Sequence, residues 1–306
     1  MRRKFCAEGV MHIYQRTIFG FNLFYSLEDF LVFYTIVAVQ ARKFGVCLWA
    51  MCLMIDHIHL LVSAESMRQM SGFISAYTSI YVREFNSWTG RRGSLFDSPY
   101  GSAIKLEVKK IRSAIAYLFN NPVEKKLCRA AEDYRWNFLK HYDPAKATSI
   151  RHIRNLSRSM QRALKIINEV YNNNGYLNFA LLSNLLKSLG KQEREELADY
   201  ILSLYFPFRK DLPQTFYKNY ENMVLALNAN TGSEYEINES HYCKTDVPYR
   251  EMLQYLKRTG CDNPKDLITA PADIKKKYFI QLKEKTSATP VQIKKFLHIK
   301  PRIMQE

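Results

Sequence analysis

Met54-Ile55-Asp56-His57-Ile58-His59-Leu60-Leu61-Val62 is the stretch on which the fold turns. Successive side chains on a strand point to opposite faces, so His57 and His59 share one face and Ile58 and Leu60 the other. A strand that sinks Ile58 and Leu60 into a core presents two imidazoles from its opposite side. Imidazole nitrogen is a good ligand for first-row divalent metals. The pair can therefore grip one metal ion, or it can be structural, and the stretch by itself leaves both open.

Towards the N-terminus, residues 46–54 read as a second apolar strand, separated from the first by a break at Ile55-Asp56. Residues 27–43 have helical spacing, with Phe30, Phe33, Tyr34, Val37 and Ala41 on one side. Residues 10–17 are rich in strand formers. In the other direction, residues 67–88 form a second long helix, with a stripe of Met70, Phe73, Ile74, Tyr77, Ile80, Tyr81, Phe85 and Trp88. Residues 93–104 are turn-rich and carry a further strand, and residues 107–120 form a third helix stopped by Pro122. Strands and helices in this order predict an α+β sandwich, an antiparallel sheet with helices on one face.

The third helix buries Val108, Ile111, Ile115 and Phe119 by spacing. Tyr117 lies about 160° from Ile115 and about 180° from Val108 on the helical wheel, outside that stripe. Asn121, four residues on, falls on the same side one turn later, where Pro122 makes the helix end less regular. A tyrosine on a polar face beside an amide that can ligate metal is a plausible nucleophile, or else one ordinary surface tyrosine among the chain's 20.

The composition is that of a globular protein, with 47% hydrophobic and 24% charged residues, so the chain as a whole is not disordered. The charge balance is unusual. Lys and Arg number 45 against 29 Asp and Glu, a formal net charge of +16, which points to a polyanionic partner. A membrane partner is disfavoured. The basic N-terminus has no long apolar run behind it, and the stretches 30–41 and 46–55 are shorter than the roughly 18 residues a spanning helix needs. None of Cys6, Cys47, Cys52, Cys128, Cys243 and Cys261 makes a CxxC pair. Free thiols in a cytoplasmic location are expected, without structural zinc.

A segment poor in large apolar residues, 143–150, reads as a linker between an N-terminal domain (1–145) and a mostly helical, basic C-terminal region (146–306). In that region residues 150–170 form an amphipathic helix. Ile153, Leu156, Met160, Leu164 and Ile167 line one face, and Arg151, Arg154, Arg158, Arg162 and Lys165 the opposite one. The cationic face is either simply solvated or follows a phosphate backbone. Further helices are expected at 178–189, 191–204 and 249–259. The stretches 272–285 and 289–297 resemble the start of a helix-turn-helix, with too few residues after them for a full recognition helix.

Four segments in order carry a family resemblance: His12-Ile13-Tyr14-Gln15-Arg16, then His57-Ile58-His59-Leu60-Leu61-Val62, then Tyr117-Leu118-Phe119-Asn120-Asn121-Pro122-Val123, then Asp133-Tyr134-Arg135-Trp136. Over about residues 8–142 the chain resembles the single-tyrosine HUH transposases, most closely the REP-associated tyrosine transposases. The resemblance implies a ferredoxin-like fold. It implies that His57 and His59 hold Mg²⁺ or Mn²⁺ with Asn121 as third protein ligand. It implies Tyr117 as nucleophile on a single-stranded DNA phosphate, leaving a 5′-phosphotyrosine and a free 3′-OH. The chain departs from the family at Ile55-Asp56, where proline and asparagine are common, and at Phe96, where tryptophan is expected. Neither departure removes a reacting group.

A phenol of pKa about 10 is only about one part in a thousand ionised at pH 7. A divalent cation that polarises the scissile phosphate is therefore a natural aid. The phosphotyrosine bond keeps the energy of the cut for rejoining. Asp56 points the opposite way along an ideal strand and is not expected to be the base. The partner expected is single-stranded or hairpin DNA, contacted by Arg83, Arg91, Arg92, Lys109, Lys110, Arg151, Arg154, Arg158 and Arg162, with a homodimer possible. Trp88 is read as core before base-stacking, and His12 as structural support before ligand. Competing readings are a non-cutting DNA-binding regulator, a phosphoesterase using activated water, and a basic RNA-binding protein.

Overall fold

The computed structural model describes residues 5–97, 100–143, 156–229 and 245–301. Four strands, β1 (Val10–Arg16), β2 (Cys47–Leu53), β3 (His57–Ser63) and β4 (Gly101–Lys105), form one antiparallel sheet in the order β2-β3-β1-β4. Helix α1 (Leu27–Phe44) connects β1 to β2, and α2 (Met67–Thr89) connects β3 to β4. This is the ferredoxin-like βαββαβ arrangement. Ser26 and Asp29 form a capping box at the start of α1, and Gly45 ends it in the left-handed conformation at φ 62°.

The register sorts side chains onto two faces. Met11, Ile13 and Gln15 of β1 stand opposite Val62, Leu60 and Ile58 of β3. That face meets α2, where the Tyr77 hydroxyl donates to Gln15 Oε1 at 2.5 Å. On the other face Tyr14 stands opposite His59 and Arg16 opposite His57. That face is covered by α3 (Val108–Glu124). Helices thus lie on both faces, not on one as the element order suggests. The third helix does not belong to the βαβ crossovers and closes over the histidine face.

The phase of α3 also differs from expectation. Ile111, Ile115 and Phe119 are buried, but Val108 is 63% exposed and Tyr117 only 4%. Every residue from Ala114 to Pro122 is buried, because the helix has neighbours on both sides. Nor does Pro122 stop it: the helix runs to Glu124, and the Lys125 N–H still reaches Asn121 O at 3.0 Å.

The C-terminal helices are α4 (Arg158–Asn172), α5 (Phe179–Lys187), α6 (Lys191–Leu204), α7 (Leu212–Tyr217), α8 (Tyr220–Asn228), α9 (Val247–Arg258), α10 (Ala272–Lys285) and α11 (Pro290–Phe296). They pack onto the α+β unit and continue its apolar core. Tyr34 donates from α1 to Leu202 O at 2.6 Å. Asn120 of α3 donates to Leu227 O at 2.8 Å. Arg209 N–H pairs with Leu48 O at 3.0 Å, covering the outer edge of β2. Deepest is an ion pair between Asp29 of α1 and Lys265, at 2.8 Å, with side chains 0% and 5% exposed. The helix-turn-helix expectation is not met. Helix α11 faces inward, burying Gln292, Ile293 and Phe296, and no recognition helix follows it among the described residues. Most of the expected linker, 144–150, lies outside the described residues. Among these residues no helix is long and apolar enough to cross a membrane, and no disulfide joins the described cysteines.

Candidate active site

The sheet face under α3 brings together His12, His57 and His59 from the strands and Tyr117 and Asn121 from the helix. The rings of His57 and His59 lie 5.0 Å apart, and the Tyr117 ring packs edge-on 5.5 Å from His59. The Asn121 amide is central. Its Nδ2 lies 3.3 Å from His59 Nε2 and 3.3 Å from Tyr117 Oη. The i, i+4 spacing on α3 sets the amide and the phenol side by side.

Hydrogen-bond chemistry fixes the ring protons. An amide NH₂ only donates, so His59 Nε2 accepts and carries a lone pair. The His59 proton then sits on Nδ1 and is donated to His12 Nε2, 3.0 Å away. His57 Nδ1 lies 2.6 Å from Asp56 Oδ1. A carboxylate only accepts, so that nitrogen holds a proton, and whenever the His57 ring is neutral its Nε2 carries the lone pair. In the neutral form His57 can ligate a cation through Nε2, and His59 can do so where a cation displaces the Asn121 N–H from its Nε2. Each donates its other N–H to a supporting group, as metal-bound histidines usually do. His12 is thus support rather than ligand.

Among the described residues no three His, Cys, Asp or Glu side chains are grouped to hold a metal ion. A third protein ligand would therefore be of another type. Asn121 Oδ1 is buried and has no hydrogen-bond partner, an amide oxygen on the side chain that touches both His59 and Tyr117. These residues fit a hard or borderline divalent cation such as Mg²⁺ or Mn²⁺ bound by two imidazoles and an amide.

Two carboxylates lie behind the histidines. Burial pushes Asp56 up, but the His57 hydrogen bond and the charges of His57, Lys295 and Lys125 outweigh it and hold the group at about 2. Burial first, and then the Asp56 charge, raises Asp246 to about 6, against the pull of His57, Lys125 and Lys295. Asp246 precedes α9, and its Oδ2 is buried without a partner.

Residues 22–128 match the family model described as Transposase IS200 like. This segment is a relative of the IS200-like transposases. It is about a third of the chain and contains His57, His59, Tyr117 and Asn121; β1 with His12, and everything beyond residue 128, lie outside it. No curated protein matches the chain. A solved structure titled as a REP-associated tyrosine transposase bound to a REP hairpin aligns at 14% identity, over 44% of this chain and 79% of that one, with a TM-score of 0.38.

Around the transposase-related segment the expected DNA contacts separate into groups. Arg83, Arg92, Lys109, Lys110, Arg158 and Arg162 are exposed, and Lys110 pairs with Glu107 at 2.6 Å. Arg91 is different: its guanidinium braces the following turn through Asn86 Oδ1, Gly93 O and Ser94 O. Arg151 and Arg154 lie outside the described residues. Trp88 is 39% exposed and stacks on Phe179.

Other residues near the site were not singled out by sequence. Tyr14 and Arg16 are exposed on the histidine face, and period-two counting from His12 would have found them. Arg112 and Lys109 line a cleft of about 310 Å³ between α3, α7 and α8, together with Val108, Ala116, Tyr217 and Ala226. The Arg112 guanidinium lies 5.1 Å from the Tyr217 ring centre. Ser113, one turn before Tyr117, also lines the cleft. Lys295 and Asp246 come from far along the chain and leave no local signal.

Proposed function

We propose that the chain is a transposase-type DNA strand transferase in which Tyr117 is the nucleophile. The observation that carries this reading is the contact of one amide, Asn121, with both the Tyr117 hydroxyl and the lone-pair nitrogen of His59. The family match of residues 22–128 and the +16 net charge support a DNA substrate.

Tyr117 Oη attacks phosphorus in a single strand. A P–O bond to Oη forms as the P–O3′ bond breaks, and the phenol proton ends on the released 3′ oxygen. A 5′-phosphotyrosine and a free 3′-OH result, and reversal with another 3′-OH rejoins strands. The Asn121 N–H stabilises charge that builds on Oη as the proton leaves. His57, His59 and Asn121 Oδ1 would hold Mg²⁺ or Mn²⁺, which when bound polarises the phosphate and neutralises its charge. Arg16, exposed beside His57, is placed to meet the strand backbone. The test is a denaturing gel of the chain mixed with labelled single-stranded hairpin DNA, with and without Mn²⁺. A metal-dependent covalent adduct supports the reading, and retained binding with no adduct in either condition overturns it.

The cleft beside α3 suits the DNA flanking the cut. It sits at the lower end of the roughly 300–1,000 Å³ range of ligand sites, has Lys109 and Arg112 in its lining, and a helical rise of about 6 Å separates Ser113 from Tyr117. Lys109→Ala with Arg112→Ala is expected to weaken single-stranded DNA binding about tenfold. The slope of log affinity against log salt is expected to fall by about 1.4, for two phosphate contacts at about 0.7 each. Fluorescence anisotropy over a salt series reads both, and an unchanged slope would place the DNA elsewhere.

One observation favours a second reading. Tyr117 is 4% exposed, so a phosphate reaches Oη only if α3 or its cover shifts. A DNA-binding regulator that keeps this fold without cutting needs no such movement, and the same gel separates the two.

A further inference from the structure

We propose that Lys295, delivered by α11 from the far end of the chain, is a positioning residue for the histidine site. It locks the Asp56 carboxylate that orients His57. The inference rests on the metal-binding reading above and concerns residues outside the segment matched to transposases.

Asp56 uses its two oxygens separately. Oδ1 takes the His57 Nδ1 proton at 2.6 Å, and Oδ2 faces Lys295 Nζ at 3.4 Å. A single bond to His57 leaves the carboxylate free to turn about a broad, soft torsion. A cation on the second oxygen fixes that torsion, and with it the plane of the His57 ring.

Lys295 is held in place by backbone as well as charge. The loop after β1 grips both partners at once. Thr17 N–H donates to Asp56 O at 3.1 Å and Leu23 N–H to Ile55 O at 2.7 Å, while Asn22 N–H donates to Lys295 O at 3.3 Å. Gly20, at φ 65°, lies against the lysine tip: a Cβ there would sit 2.8 Å from both Cε and Nζ. The tail is pinned by Tyr25, whose hydroxyl donates to Phe296 O at 2.6 Å, and by His298, whose Nε2 donates to Asn22 O at 2.9 Å. The lysine side chain is 18% exposed.

A plain surface salt bridge would contribute about 0–1 kcal/mol to stability and nothing to the site. Simple charge makes the opposite prediction to positioning, since removing a cation near a divalent ion tightens its binding. The test uses the full chain and Mn²⁺ alone, with binding read by calorimetry and by the electron paramagnetic resonance of free Mn²⁺. Asp56→Asn, acting directly on His57, is expected to weaken Mn²⁺ binding about 10–100-fold. Lys295→Met is expected to weaken it about 3–10-fold, and Lys295→Arg to return it to within about twofold of the parent. Should Lys295→Met fail to fold, Lys295→Gln is read in its place with the same expectation. Mn²⁺ affinity in Lys295→Met equal to or tighter than the parent, or no recovery in Lys295→Arg, overturns the inference while the metal site stands. No Mn²⁺ binding by the parent chain overturns both.

Discussion

Tyr117→Phe is expected to remove the covalent protein–DNA adduct completely while leaving the fold and DNA binding in place. Loss of a nucleophile costs an enzyme at least about 10³-fold in rate, often far more, so no adduct is expected at any practical time. The substitution removes one oxygen from a buried ring. The ring keeps its packing against His12 and His59, and the lost contact with Asn121, a neutral bond at 3.3 Å, costs about 1 kcal/mol. The melting temperature is therefore expected to move by only a few degrees, and hairpin affinity by less than about threefold. Asn121→Ala gives the useful contrast. It strips a donor from His59 and Tyr117 together and removes the amide oxygen of the proposed metal site, so Mn²⁺ binding and adduct formation are expected to fall together. An adduct that persisted in Tyr117→Phe would move the nucleophile elsewhere. Tyr14, exposed on the same face, would be the next to test.

The parts of this site that sequence made legible are those set by short-range geometry. Alternation along β3 put His57 and His59 on one face, and the four-residue step on α3 paired Tyr117 with Asn121. Both hold in the structure. The misplacements have a common cause. The helical wheel of α3 was read as if the helix had one buried side, yet Tyr117 packs on His12 and His59 of the sheet while Asn120 donates to Leu227, 107 residues later, so the helix is covered from directions no local pattern records. Asp56 was expected to point away from the histidines by strand alternation. It precedes the first residue of β3, in the turn after β2, where alternation does not apply, and there its carboxylate turns back to His57. Lys295 lies 239 residues from Asp56. A contact of that separation depends on the docking of the whole C-terminal region, which composition and periodicity do not specify.

That docking has its own sharp test in Lys265→Met, expected to cost about 3–5 kcal/mol of stability. Lys265 Nζ lies 2.8 Å from Asp29 Oδ1, 3.4 Å from Ser26 Oγ and 4.8 Å from the centre of the Phe179 ring. Asp29 Oδ2 in turn takes the N–H groups of Tyr25 and Ser26, each at 2.8 Å. Every direction around the pair is thus occupied by protein, and methionine would leave a carboxylate buried with its charge uncompensated. Replacing both partners, Asp29→Asn with Lys265→Met, is expected to recover much of the loss, because an apolar or neutral pair avoids the desolvation that the lone charge suffers. Calorimetry of the single and double variants measures the coupling directly. The shape of the unfolding curve carries the larger point. If the C-terminal helices are integral to the core, Lys265→Met lowers one shared transition. If they form a separately stable domain resting on the α+β unit, the trace splits in two, with the transition of the transposase-related segment unmoved. In the shared case, removing residues 156–301 would uncover apolar surface on α1 and α3 and take Lys295 away from Asp56. The transposase-related segment would then depend on the C-terminal region for its stability and for the set of its histidines.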